Sequence, residues 1–330
     1  MDLDFEKDIV DLETKIAELA RPAGAPAPAD GAEAKAARPA PPAELAELKK
    51  KLEAAKKEVY ANLTPWQTVQ VARHINRPLL ADYIAGIFSE FIELHGDRLF
   101  GDDRGIVGGF ATLGKHRVML IGHQKGKTVE EKVKSNFGMA KPEGYRKALR
   151  LMKLAEKFQI PVVAFIDTPG AYPGLDAEER GQAEAIARNL TEMSLLRVPI
   201  VVVVTGEGGS GGALGIAVGD VVLMLSNAVY SVISPEGCAS ILWRDGAKAP
   251  EAAEALKLTA RSLKDIGIAD EIVPEPPGGA HRDHAATFEA VRERLLKHLK
   301  RLAGVSPRKL VDRRYAKYAE IGRVKHKLRR

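Results

Sequence analysis

Hydrophobic positions follow two kinds of pattern along this chain. Near the amino terminus they recur at spacings of three and four: Phe5, Ile9, Leu12, Ile16 and Leu19, then Leu45, Leu48, Leu52, Ala55 and Val59. Each stripe predicts an amphipathic helix. Two such helices joined by a loose connection predict an antiparallel hairpin, lying on its own domain or docked on a partner subunit. Residues 21–43 between them are almost all Ala, Pro and Gly, which predicts a mobile linker. The stretch 65–78, with Trp66, Arg73 and His74, reads as irregular. Residues 82–94 read as one more amphipathic segment, through Ile84, Ile87, Phe88, Phe91 and Ile92.

Further on, short apolar runs alternate with helical stretches. Residues 106–113 and 117–121 flank Gly114-Lys115, a hairpin-type turn. Apolar runs at 162–166, 200–204 and 221–225 are then separated by helical patterns at 145–158 and 177–196. Such alternation predicts an α/β fold with parallel strands and right-handed crossovers. Tyr230 to Ser234 reads as another strand, and Pro235 as the first residue of a short helix. Ligands in such sheets bind beyond the carboxyl ends of the strands. Two unusual loops fall there, Asp167-Thr-Pro-Gly-Ala-Tyr-Pro-Gly174 and Gly206-Glu-Gly-Gly-Ser-Gly-Gly-Ala-Leu-Gly215.

The second loop holds six glycines in ten residues, between a buried strand and a helix start. Its main chain is expected to come very close to something. A helix start also carries unpaired N–H groups and partial positive charge, which suits an oxygen that bears or develops negative charge. Three stock motifs touch these letters. Gly206, Gly208 and Gly211 fit the dinucleotide fingerprint, but the next strand ends in Ser226 and Asn227 rather than an acid. Gly208, Ser210 and Gly212 fit a nucleophile elbow, whose general base would have to be His281, the first histidine downstream. A phosphate-binding loop would need Gly-Lys-Ser/Thr. Gly126-Lys127-Thr128 comes close, but Ile121 stands where its first glycine belongs. The plain alternative is a tight crossing with no ligand. The favoured donors are the main-chain N–H groups of Gly208, Gly209, Gly211, Gly212 and Ala213. The neighbouring loop, residues 167–174, completes the same cradle.

Composition narrows the setting. Among 330 residues there is one cysteine, Cys238, so an internal disulfide and a multi-thiolate metal site are excluded, and no metal is expected in this chain. A reducing cytoplasm is the default location. No apolar run reaches membrane-spanning length. Residues 308–330 hold ten Lys/Arg against two acidic residues, more than the whole chain's net +6. The basic character therefore belongs to the end of the chain and does not indicate a nucleic-acid surface. Lys125, Lys127, Lys132 and Lys134 could meet phosphates or form a solvated loop. Tyr172 could cap a pocket or pack a turn. His123 could face the site or be structural. Cys238 could be a helix-start thiol of lowered pKa or a buried structural residue.

Several contiguous runs resemble one family closely. They are Gly122-His-Gln-Lys-Gly126, Phe137-Gly-Met139, Pro142 through Arg150, Phe165 through Gly174, Gly206 through Leu214, and Tyr230 through Trp243. Together they resemble the carboxyltransferase alpha-subunit family of bacterial acetyl-CoA carboxylase, over nearly the whole chain. The linker at 21–43 and the basic end at 323–330 depart from the family's pattern. The resemblance implies a crotonase-like spiral of ββα units over 64–305, with the helical hairpin at 1–63 and a basic tail at 306–330. It implies transfer of a carboxyl group from carboxybiotin, carried on the biotin carboxyl carrier protein, to acetyl-CoA, giving malonyl-CoA for fatty acid synthesis. It implies a zinc-ribbon beta subunit of the same fold in an α2β2 assembly, with biotin carboxylase as a further partner. Substrate contacts would fall to Gly170, Ala171, Tyr172, His123 and Lys125. A stand-alone crotonase-type hydratase or isomerase is the rival reading, and a non-enzymatic scaffold is a third.

Overall fold

A computed structural model describes residues 3–20 and 42–323. Most of the Ala/Pro linker and the last seven residues of the basic tail therefore lie outside the described residues. The striped segments form α1, Lys7–Leu19, and α2, Pro42–Ala61, packed against each other. Their hairpin touches the rest of its own chain. Glu6, just before α1, is buried beside Arg282 Nη2 at 3.1 Å and accepts from the Tyr60 hydroxyl.

The segment 65–78 is not irregular throughout. It begins with α3, Pro65–Ala72, which Thr64 and Gln67 start with a reciprocal capping box ahead of Pro65. Residues 82–94 do not make one helix either. Helix α4, Leu80–Ile87, stops at Phe88, and Glu90–Glu93 is an edge strand, β1. It pairs antiparallel with β2, Ile106–Leu113, which turns through Gly114-Lys115 into β3, His116–His123. The pairing of Ile92 with Phe110 comes from a distant segment, so local spacing could not reveal it.

After the short α5, Val129–Lys134, come α6, Pro142–Phe158, and β4, Val162–Thr168. The expected helix at 177–196 is broken. Gly181, at φ 83°, separates α7, Leu175–Glu179, from α8, Gln182–Leu195. Strand β5, Ile200–Gly209, leads directly into α9, Ser210–Leu214, and then β6, Val221–Leu225. Strand β7, Val229–Ser231, and α10, Pro235–Trp243, follow. Helices α11, Ala249–Leu256, and α12, Ala260–Asp265, precede β8, Glu271–Val273, then α13, His284–Ala303, and α14, Pro307–Glu320.

The sheet order is β1-β2-β3-β4-β5-β6-β8, with β7 paired on the extended end of β5. From β3 onward the pairing is parallel. Every residue of β4 is buried, as expected of a strand covered on both faces. The basic end is not wholly solvated. Arg314 of α14 is 1% exposed and grips Asp220 at 2.8 and 3.0 Å. It also donates to the carbonyls of Met193, Leu196 and Val198.

Candidate active site

Strand β5 outruns its neighbours until Gly208 is level with Thr168 of β4 on one side and Tyr230 of β7 on the other. The chain then turns into α9. None of the six glycines from 206 to 215 has a positive φ, so backbone strain does not explain them. Crowding explains most. A Cβ on Gly206 would lie 2.4 Å from Asp167 Oδ1, one on Gly209 2.0 Å from Pro169 O, and one on Gly212 2.3 Å from Ala171 N. The missing side chains let the loop from Asp167 to Ala171 lie directly on the turn. Two glycines differ. Gly170 has nothing within 4 Å of a built Cβ, and Gly211 has only Ile186, at 3.8 Å. Neither has a positive φ, so nothing in the fold requires either to lack a side chain.

The expected donors divide accordingly. Gly208 and Gly209 belong to the strand ladder. Ala213 is the first residue of α9 whose N–H finds an acceptor within the helix. Gly211 and Gly212 lie in the first turn, where N–H groups have no such acceptor. In the facing loop the Gly170 N–H donates to Thr168 Oγ1 at 3.1 Å, and the Tyr172 N–H to the Ala140 carbonyl at 3.0 Å. The Ala171 N–H has no acceptor among the described residues. That leaves the N–H groups of Ala171 and Gly212, where the two loops touch, and of Gly211 beside them.

The turn is braced from behind. Tyr145 Oη donates to the Gly212 carbonyl at 3.2 Å. Asn189 Nδ2 donates to the carbonyls of Tyr145 and Gly215, each at 3.0 Å. His123, 1% exposed, lies under the turn near the carbonyls of Gly212 and Phe165. Neither ring nitrogen reaches hydrogen-bond geometry with any described residue. Burial pushes its imidazole down to about 3, so the ring is neutral at ordinary pH. His123 is buried, so it has little surface of its own to offer a substrate.

Lys125 is engaged within the fold. Its ammonium sits 2.8 Å from Asp167 Oδ1 and 2.8 Å from Glu207 Oε1, beneath the loops. Burial alone would lower its pKa, but the two carboxylates outweigh that and raise it. Burial would raise Glu207, yet the charges of Lys125 and Arg73 hold it at about 2. Arg73 Nε, 2.8 Å from Glu207 Oε2, arrives from the end of α3. Lys127 and Lys134 pair with Asp82 and Glu130, each at 2.5 Å. Tyr172 packs its own turn, with Lys141 Nζ 4.7 Å from its ring centroid and the ring lying over Gly174. Cys238 is buried in α10.

The sequence reading missed Asp167, Arg73, Tyr145 and Asn189. Asp167 carried a signal, since it heads the first loop. The other three sit in helices or their ends, and only the tertiary fold brings them here. Among the described residues, Glu6, His74 and His281 have metal-ligand spacing. However, Tyr60 and Arg282 already occupy Glu6, and His74 Nδ1 accepts the Asn76 N–H.

Comparison with known proteins follows this geometry. The family model described as acetyl co-enzyme A carboxylase carboxyltransferase-like matches residues 2–322. An acetyl-coenzyme A carboxylase carboxyl transferase subunit alpha from Geobacter metallireducens is 59% identical over 321 residues, covering 97% of each chain. A protein of the same name from Bordetella pertussis is 54% identical, again covering 97% of each. Among solved structures, the beta subunit of P. aeruginosa geranyl-CoA carboxylase superposes with a TM-score of 0.55 at 18% identity, over 75% of this chain and 46% of that one. A Pseudomonas malonate decarboxylase hetero-tetramer in complex with coenzyme A gives 0.55 at 16% identity, over 67% and 89%. These two likenesses establish the crotonase-like fold.

Proposed function

The chain belongs to the acetyl-CoA carboxylase carboxyltransferase alpha-subunit family, and from that premise we propose that its two glycine loops form an oxyanion cradle for carboxyl transfer to acetyl-CoA. Members of the family are biotin-dependent carboxyltransferases, and they are subunits of larger assemblies. The carboxyl group to be transferred arrives on carboxybiotin, held by a separate carrier protein. What this chain must do is hold an oxygen as it gains charge. When acetyl-CoA loses a methyl proton, charge moves onto the thioester oxygen, and donors fixed beforehand lower that barrier. Each lost donor costs about 3 kcal/mol of barrier. The N–H groups of Ala171, Gly211 and Gly212 are suited to this, because Asp167–Ala171 and the turn are locked against each other.

One observation carries the reading. Gly170 and Gly211 are neither strained nor crowded, yet they flank the free N–H groups. Side chains there would fill the approach to the donors. The rival hydratase reading needs a carboxyl group that can give up a proton beside the acyl group. Glu207, the acid within the turn, has both oxygens engaged by cations and is held ionised.

The reading includes a zinc-ribbon beta subunit of the same fold, which would bring a second cradle in an α2β2 assembly. The biotin carboxyl carrier protein and biotin carboxylase are its further partners, in the cytoplasm. No helix among the described residues is long and apolar enough to cross a membrane. The test is reconstitution. The chain alone should make no malonyl-CoA from a carboxylated biotin derivative, and should do so once mixed with the zinc-ribbon subunit. Hydration of an enoyl-CoA by the pure chain would favour the rival.

A further inference from the structure

The loop that follows β4 is anchored at both ends of one peptide unit, Gly170–Ala171. On the far side the Tyr172 N–H donates to the Ala140 carbonyl at 3.0 Å, and Gln182 Nε2 donates to the Tyr172 carbonyl at 2.9 Å. On the near side stands Thr168, the last residue of β4, fully buried. A valine would serve the strand there as well as a threonine, so the hydroxyl needs another reason. It bonds Gly170 twice. Thr168 Oγ1 accepts the Gly170 N–H at 3.1 Å, and its O–H donates to the Gly170 carbonyl at 2.7 Å. One hydroxyl can do both, having one proton and two lone pairs. The second bond sets a direction. A trans peptide points its carbonyl and its N–H opposite ways. With the Gly170 carbonyl turned in to the buried hydroxyl, the Ala171 N–H is turned away from it. Gly212 packs against this peptide, but among the described residues no other hydrogen bond reaches its carbonyl or its N–H. A Cβ built on Gly170 would touch nothing, and a glycine turns easily, so holding the direction falls to Thr168.

We propose that Thr168 is a positioning residue, whose hydroxyl aims the Ala171 N–H at the oxygen that gains charge during carboxyl transfer. The role rests on the carboxyl-transfer reading above and deepens it. Thr168 is buried and acts only through the Gly170–Ala171 peptide. It forms no covalent bond and keeps its proton. A donor fixed in direction matters most when the oxygen carries charge, so a loosened donor lowers kcat more than it raises KM.

The test uses the full chain assembled with its zinc-ribbon partner, with the parent assembly measured alongside and every assay run well below the lowest melting temperature. Thr168→Val keeps the branched shape and drops the hydroxyl. Thr168→Ser keeps the hydroxyl and drops a buried methyl group. Thr168→Val should lose kcat by about tenfold or more with KM little changed. Thr168→Ser should restore kcat to within about threefold of the parent, even where it melts lower, because the aim of the peptide is kept. A purely structural threonine would make kcat follow melting temperature in both variants. Parent-like kcat in Thr168→Val overturns the proposal, and so does a Thr168→Ser assembly as slow as Thr168→Val. A loss in Thr168→Val that falls on KM alone overturns it too. An inactive parent assembly would instead overturn the carboxyl-transfer reading, and this role with it.

Discussion

A Cβ built on Gly209 would stand 2.0 Å from the carbonyl oxygen of Pro169. The two loops at the carboxyl edge of the sheet are thus in main-chain contact, and Gly209 is the hinge of that contact. Sequence reasoning would treat Gly209→Val as a silent change to the fold that blocks the donors. The geometry predicts otherwise. Valine must push the Pro169–Gly170 backbone away, so Gly209→Val should unfold more easily than the parent and lose activity for that reason. Thermal melting by circular dichroism distinguishes the two, since a parent-like melting temperature would contradict the contact.

Lys125 balances two carboxylates, the buried Asp167 and the largely buried Glu207. Lys125→Met should leave them facing each other without their shared cation. Breaking such a pair costs about 3 kcal/mol or more. Urea unfolding of the variant should show that loss. A surface lysine reaching for phosphate would instead leave stability unchanged and weaken CoA binding alone.

The strand alternation and the edge of the sheet where the loops meet were legible in the sequence. Val201–Val204 could hardly be anything but a buried strand, and the glycines marked a close approach. What the approach was to could not be read, because Pro169 and Ala171 lie some forty residues upstream of Gly209 and Gly212. The same limit hid Lys125, whose partners come from two other strands. It also hid β1, whose partner residues 109–112 are not local. Helix α3 was different. Thr64, Pro65 and Gln67 spell a capped helix start, so the signal was present but unread.

Arg314 should prove structural rather than part of a solvated tail. Arg314→Met leaves Asp220 buried without its cation, at a cost of about 3–5 kcal/mol. Arg323→Ala, at an exposed pair with Glu320, should change stability by less than about 1 kcal/mol. Denaturant titrations of both variants check the contrast.

Acid should weaken the fold over a defined range. In Glu207 burial favours the neutral form, but Lys125 and Arg73 prevail and hold the carboxyl at about 2. Glu6 is likewise held at about 2, with burial outweighed by His281, Tyr60 and Arg282. A depressed folded pKa means the unfolded chain binds the proton more readily. The stabilisation is therefore full above the ordinary carboxyl value near 4.5 and drains away as pH falls towards 2. Melting temperatures measured from pH 6 to 2 should fall mainly within that window. Lys125→Met should flatten the dependence, because Glu207 then titrates closer to its ordinary value.

The most direct test of the cradle is the double variant Gly170→Ala/Gly211→Ala, assembled with the zinc-ribbon subunit and assayed for malonyl-CoA. Each substitution adds one methyl group where a Cβ meets no crowding. The account predicts a parent-like melting temperature and a normal assembly, with kcat reduced by about a hundredfold, as for loss of an oxyanion donor. Full carboxyl transfer by the folded double variant would contradict it.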